Sequence, residues 1–315
     1  MRKGCTHLAL ALVVLVAAGA TTNSLAQTPS RKQINISEIT PEAFKRIDKL
    51  AHKGNVQAQT ALGLAYGFGV VVERNDIEAL RWFEKAARED EYAQYSLGVM
   101  YHEGRGTKTD DVEARKWFLK AAHQGNLKAQ FNLAVLFFNG QGGSRDFPSA
   151  AKWFEVVARQ GDMNAQVNLA SMYDRGLGVP KDADEAMKWL RKPAESGSAE
   201  AQRALGDLYL RKAGQTGDHH EALAWLMKAA EQKDPDAERQ VGALLNHGHC
   251  MPVDAVASYV WLKKAEIGGD KRAAGTLKGV AASMTAQELA EADRRLGQDT
   301  VQTSTHRDLE VRKER

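Results

Sequence analysis

The side chains best suited to chemistry gather late in the chain. Asn246-His247-Gly248-His249-Cys250 places two imidazoles and a thiol within four positions, and His219 and His220 precede them. Three or four such soft ligands could hold zinc or copper. The same stretch also fits a solvated loop in which Gly248 ends a helix, so it predicts no resident cofactor. A second set is acidic: Glu78, Glu113, Glu185 and Glu221 each stand three residues after an Asn or Asp. That spacing is a capping box, in which the acid bonds backbone amides at a helix start, so these carboxylates are expected to be structural. The chain has no Gly-x-Ser-x-Gly, no His-Glu-x-x-His and no phosphate loop. His102 and His123 lack an evident partner and suit a solvated surface. The reading is of a protein that is not an enzyme.

The elements that would position these residues are repeated. Six tryptophans, Trp82, Trp117, Trp153, Trp189, Trp225 and Trp261, follow one another at 35 and then 36 residues, and an alanine stands 24 residues ahead of each. Each unit opens on Ala-x-x-x-Leu-(Gly/Ala)-x-x-Tyr, as in Ala93, Leu97, Gly98 and Tyr101, which sets the Ala, Leu and Tyr on one helical face. The small residue between them lets a second helix approach closely. A Gly-x-Gly loop follows (Gly104 to Gly106, Gly140 to Gly142, Gly176 to Gly178), then a capping Asn75, Asp110, Asp146, Asp182, Asp218 or Asp254. The second helix carries Ala-x-x-Trp-(Phe/Leu)-x-Lys-Ala-Ala and commonly ends at a glycine such as Gly125, Gly161 or Gly197. One helical hairpin cannot bury its apolar face alone, so the units must stack.

The units fall near 56–91, 92–126, 127–162, 163–198, 199–234 and 235–270, with half-repeat caps completing a domain over 41–297. Residues 41–54 read as a lone second helix, 271–281 as a lone first helix, and Thr285-x-x-Glu288 opens a closing helix. The polar segment 298–315 is expected to be disordered, and 27–40 to be a linker. Arg2 and Lys3 ahead of the apolar run Leu8 to Ala20, then Ser24-Leu25-Ala26, form a signal-peptide pattern over 1–26. No other segment approaches the ~20 apolar residues of a membrane helix, so no integral membrane segment is expected after cleavage. A periplasmic or secreted chain follows. Cys5 leaves with the signal, and Cys250 alone cannot form an intrachain disulfide. The net charge of +3 falls by two when Arg2 and Lys3 are removed, which argues against nucleic-acid or membrane-surface binding.

Together the Ala-x-x-x-Leu-Gly-x-x-Tyr helix, the Gly-x-Gly loop, the Asp before the second helix and the Trp-(Phe/Tyr/Leu)-x-Lys-Ala-Ala segment resemble the Sel-one-like repeats, relatives of the tetratricopeptide repeats. The resemblance implies an all-α, right-handed α-solenoid of about six antiparallel hairpins, with the first helices lining the concave side. It further implies an adaptor, and exported bacterial members often regulate envelope processes, sensor kinases, surface assembly or host contact. A cysteine-rich branch is linked to penicillin binding, but this sequence lacks its cysteine pairs. A penicillin-binding or β-lactamase-like activity, or a secreted effector binding host proteins, stands as the alternative.

The candidate partner-binding residues come from helical geometry. Tyr95 and Val99 lie on the side of the first helix away from Ala93 and Leu97, and Phe131, Val135, Phe138 and Val167 hold similar positions in later units. An apolar run there either marks a partner site or packs between repeats where the superhelix curves. By analogy with tetratricopeptide grooves, Asn132 and Asn168 would bond the backbone of a bound protein or peptide. Tyr95, Phe131 and Val135 are the expected anchors. In the last two units the corresponding positions turn charged, at Arg203, Asp207 and Arg239.

Overall fold

The computed structural model describes residues 12–13, 33–34, 39–216, 219–248 and 252–298. The expected signal peptide, linker and tail fall almost wholly outside the described residues. Within them lies a two-residue antiparallel pair, β1 (Leu12–Val13) with β2 (Gln33–Ile34). Every other regular element among the described residues is a helix. No helix among the described residues is long and apolar enough to cross a membrane. The chain divides into two compact units, residues 1–160 and 161–315.

In the first unit, α1 (Pro41–His52) precedes three hairpins: α2 (Val56–Phe68) with α3 (Asp76–Ala86), α4 (Glu91–Glu103) with α5 (Asp111–His123), and α6 (Leu127–Asn139) with α7 (Phe147–Arg159). The even-numbered helices are the first, or A, helices of their repeats, and the odd-numbered ones from α3 on are the B helices. The hairpins close because the A helices carry a small residue under the partner's aromatic ring. A β-carbon at Gly63 would stand 2.6 Å from the Phe83 ring, and one at Gly98 would stand 2.6 Å from Phe118. Neighbouring hairpins then share cores. Leu64 of α2, Phe83 of α3 and Leu97 and Met100 of α4 form one buried cluster, and Phe118 of α5 joins Leu133 and Leu136 of α6 in the next. Each such buried side chain stabilises the stack by roughly 1.5–3 kcal/mol. Helix α1 covers the free end, where Ala51 packs against Ala58, Leu62 and Trp82.

The second unit repeats the plan with α8 (Met163–Arg175) and α9 (Ala183–Glu195), α10 (Ala199–Thr216) and α11 (His220–Glu231), and α12 (Pro235–His247) and α13 (Ala255–Ile267). It closes with α14 (Ala273–Ser283) and α15 (residues 286–298). Gly206 and Gly242 sit under Leu226 and Leu262 as Gly98 sits under Phe118. Helix α10 is 18 residues long where the first helices of the other five repeats have 13, because Lys212 stands at the place of the helix-ending Gly104, Gly140 and Gly176. Those three glycines hold φ of 69° to 74°, a conformation that costs a side-chain-bearing residue ~1–2 kcal/mol.

Asn75, Asp110, Asp146, Asp182 and Asp254 cap the B helices as expected. Asp218 lies outside the described residues, and His219 stands at the N-cap of α11 without a side-chain cap bond. The glutamates differ from expectation. The amides of Glu78, Glu113 and Glu185 do bond the capping side chains, at 3.1, 3.0 and 2.9 Å. The return bond of a capping box is not made, because the main-chain N–H of Asn75, Asp110 and Asp182 already donates to the carbonyl of Tyr66, Tyr101 and Tyr173 in the A helix. The freed carboxylates turn outward to Arg81, Lys116 and Lys188. The full reciprocal box forms at Thr285 and Glu288, where no such carbonyl competes for the cap's amide.

Candidate partner-binding face of the A helices

The apolar run is mostly an inter-helix contact. Tyr95 is only 4% exposed. Its ring lies 5.9 Å from that of Phe118, and its hydroxyl is hydrogen-bonded to the Asn132 side chain. Burial pushes the phenol above its usual range. Of the two readings open for Tyr95, packing between repeats describes its side chain: the phenyl face is spent on the core and the polar tip on the next A helix. Phe131 meets Phe154 edge-on at 5.6 Å, and Phe138 meets Phe147 in the same manner at 5.3 Å. Val99 packs partly against the second cluster, and Val135 is half-buried. In the second unit, Val167 packs against the core around Leu190 and Leu205. Asn168 stays exposed and donates to the Asn164 carbonyl at 2.8 Å.

The charged continuation is closed as well. Arg203 reaches Asp234 at 3.1 Å and Asp207 at 3.6 Å, while Arg239 reaches Asp270 at 2.7 Å and Asp236 at 3.5 Å. Asp234 is the N-cap of the next A helix and Asp270 accepts the Arg272 amide, so each arginine ties its repeat to the one after it. Thr60 makes the same type of bond to Asp90, the cap of α4. Within each unit the position thus joins repeats, by a polar bond at Thr60, Arg203 and Arg239 and by apolar contact at Tyr95 and Val167, while Phe131 meets Phe154 of its own hairpin. Packing between repeats was one of the two readings the sequence offered, and a single helical face could not choose between them.

A cleft of about 100 Å³ lies between α2 and α4 in the first unit. Leu64, Phe83, Tyr95, Val99 and Met100 line it, with Ser96, Glu103 and Arg105 at the rim. Phe68, 45% exposed, stands at its mouth. Phe68 was missed because it belongs to the Tyr-side turn of the helix. The signal was present: the equivalent residues of later repeats are Glu103, Asn139, Arg175, Arg211 and His247, all polar. Arg105 is held by Asp76 at 2.7 Å and by the Gly67 carbonyl at 2.8 Å, which fixes the rim.

A polar cleft of about 530 Å³ lies in the second unit, among Asp207, Leu210, His219, Arg239, Gln240, Ala243, Leu244 and His247. Burial pushes the Asp207 carboxyl up, opposed by a hydrogen bond from Gln240 and by Arg203, Arg211 and Arg239. The His247 ring lies 2.6 Å from the Ala243 carbonyl through Nδ1. His249 and Cys250 lie outside the described residues. Among the described residues no three His, Cys, Asp or Glu side chains group as a metal site.

The Sel1 repeat family model matches residues 56–91, 91–126, 127–162, 164–198, 199–234 and 235–270. A protective antigen present in uropathogenic Escherichia coli strains, displaying an SLR fold, is 31% identical, with a TM-score of 0.71 over 82% of this chain. The chain spans 56% of that protein's length. A Sel1 repeat protein from Oxalobacter formigenes is 32% identical over 72% of this chain and 88% of its own, with a TM-score of 0.53. Among curated proteins none matches. Six successive repeat matches, on the hairpins whose close approach Gly63, Gly98, Gly206 and Gly242 permit, give the fold its class as an α-solenoid, and the chain belongs to the Sel1 repeat family.

Proposed function

We propose that the chain is a non-enzymatic scaffold of the bacterial envelope, exported by its first 26 residues, that takes a segment of a protein partner on the A-helix face of its first unit. Sel1 repeat proteins are generally protein-interaction scaffolds, which supports the general reading. The observation that carries the specific one is the cleft between α2 and α4 with Phe68 exposed at its mouth. Its volume of about 100 Å³ suits one aliphatic side chain rather than a whole small-molecule substrate, for which pockets run to roughly 300–1,000 Å³. Ser96 and Glu103 at the rim offer hydrogen bonds to the backbone on either side of such an anchor. An exported location fits the Escherichia coli relative's being a protective antigen.

Photo-crosslinking in cells, with the reactive residue at Phe68 or Ser96, tests the reading against the outward-facing Lys116. A discrete adduct from the first two positions and none from the third supports it. Equal labelling from all three, or a chain retained in the cytoplasm on fractionation, overturns the site or the location respectively.

A further inference from the structure

In the first five repeats the A helix carries a buried glutamine just after its recurring alanine, and the sixth repeat breaks the pattern. Gln59, Gln94, Gln130 and Gln202 donate through Nε2 to the carbonyls of Ala51, Ala87, Ala122 and Ala194, at 3.2, 2.8, 3.0 and 2.9 Å. Each of these carbonyls lies at the end of the preceding helix, where the helix dipole is negative, and those of Ala51, Ala122 and Ala194 also accept from the main-chain N–H of Gly54, Gly125 and Gly197. The bond therefore fastens one repeat to the next. A second glutamine backs it in two places: Gln124 donates to the Oε1 of Gln94 at 2.9 Å, and Gln232 donates to that of Gln202 at 2.8 Å.

In the sixth repeat the buried residue is Glu238, 5% exposed, and the position matching Gln124 and Gln232 is Gly268. The carbonyl matching Ala122 and Ala194 belongs to Ala230, the last turn of α11. A carboxylate has no proton to offer a carbonyl, whereas a carboxylic acid has one, like the amide it replaces. No glutamine stands at 268 to donate to the ionised form, and the positive charges of Lys264 and Lys233 only partly offset its burial.

We propose that the α11–α12 junction is a proton-operated latch, fastened when Glu238 is protonated and loosened when it is ionised. Burial, and then Asp234 at the α12 cap, push its pKa up from 4.5 to about 7, opposed by Lys264 on α13 and Lys233 in the α11–α12 turn. These are the charged groups facing it. Between about 4.5 and about 7 the open junction ionises while the closed one holds its proton, so the closed state weakens by up to tenfold per pH unit across that window. Arg239, the next residue, lines the polar cleft, so loosening the junction reshapes that cleft.

The test is amide hydrogen exchange on the full chain from pH 5 to 8, corrected for intrinsic rates, comparing wild type with Glu238→Gln. Glutamine is what the other repeats carry, so the variant is expected to fold. Wild type should lose protection in the last turn of α11 and in α12 as pH rises, while the α9–α10 junction, fastened by Gln202, stays flat. Glu238→Gln should be flat at both junctions and more protected at pH 7.5. A variant whose α12 profile tracks wild type overturns the latch, and so does a wild-type profile that does not change with pH.

Discussion

Gly106, in the loop after α4, lies directly beneath the main-chain carbonyl of Asp76, the first residue of α3 one repeat earlier, so that a β-carbon at Gly106 would overlap the oxygen. Gly142 stands in the same relation to Asp111. The second glycine of the Gly-x-Gly loop is thus a stacking residue as well as a turn former. Gly106→Ala should cost about 3 kcal/mol, combining left-handed strain at φ 69° with displacement of a neighbouring backbone. Gly125, with φ 92° and nothing within 4 Å, is the control, and its alanine variant should lose only about 1–2 kcal/mol. Urea unfolding of the two variants measures the difference, and equal losses would remove the stacking role.

In the first repeat that second glycine is Val71, held at φ 66° and 43% exposed. A β-branched residue in the left-handed region is strained, and its exposure means little packing is lost on removing it. Val71→Gly should therefore raise stability by up to about 1 kcal/mol, read as a higher urea midpoint. A lower midpoint would show that the valine contributes a contact worth more than the strain.

Phe68 and Tyr95 border one cleft but should behave oppositely when truncated. Tyr95→Ala opens a hole beside Phe118 and strands the Asn132 amide, costing about 3 kcal/mol of stability. Phe68→Ser removes a half-exposed ring and should leave stability within about 0.5 kcal/mol while abolishing the crosslink to a partner. Thermal unfolding and adduct yield, measured side by side, separate the two, and a Phe68→Ser chain that keeps its adduct would move the site elsewhere.

The repeat, its caps and the small residues at helix crossings were legible because each is a local rule applied six times: Gly98 under Phe118 follows from spacing within one hairpin. The fate of Tyr95 was not legible, since a helical wheel says which residues leave their own hairpin's core but not which neighbouring helix covers them. The glutamates show the same limit. Glu78 has the spacing of a capping box, yet the Asn75 amide it would serve is taken by Tyr66 from across the hairpin. Phe68 was readable only by comparing the same position across repeats, where it is the apolar exception.

Arg203 and Arg239 fasten successive repeats with unequal force. The Asp270 side chain is 5% exposed and that of Asp234 19%, so loss of the guanidinium strands a more deeply buried carboxylate in the sixth repeat. Arg239→Ala should cost about 1–3 kcal/mol, limited by Arg272, which also holds Asp270. Arg203→Ala should cost about 1 kcal/mol or less. Urea midpoints in low and high salt check the order, and the reverse order would mean that burial does not set the strength of these ties.

Asp76 should give the first unit a defined acid limit. Burial raises its pKa, but hydrogen bonds from Arg74 and Arg105 outweigh it and hold the carboxyl below its ordinary 3.8. Because the folded value lies below the unfolded one, the ionised group stabilises the fold fully above about pH 4. That contribution disappears as pH falls through the folded value. Asp76→Asn keeps the shape but cannot be ionised, so it should be less stable than wild type by about 1–2 kcal/mol at pH 7. The gap should narrow as pH falls below about 4 and through the folded value, because the wild-type carboxyl then loses its charge too. Melting temperatures of the pair at pH 7, 5, 3.5 and 2.5 trace the convergence. A gap that persists unchanged to pH 2.5 would mean that Asp76 holds Arg105 and the rim of the cleft by shape, with its charge contributing nothing.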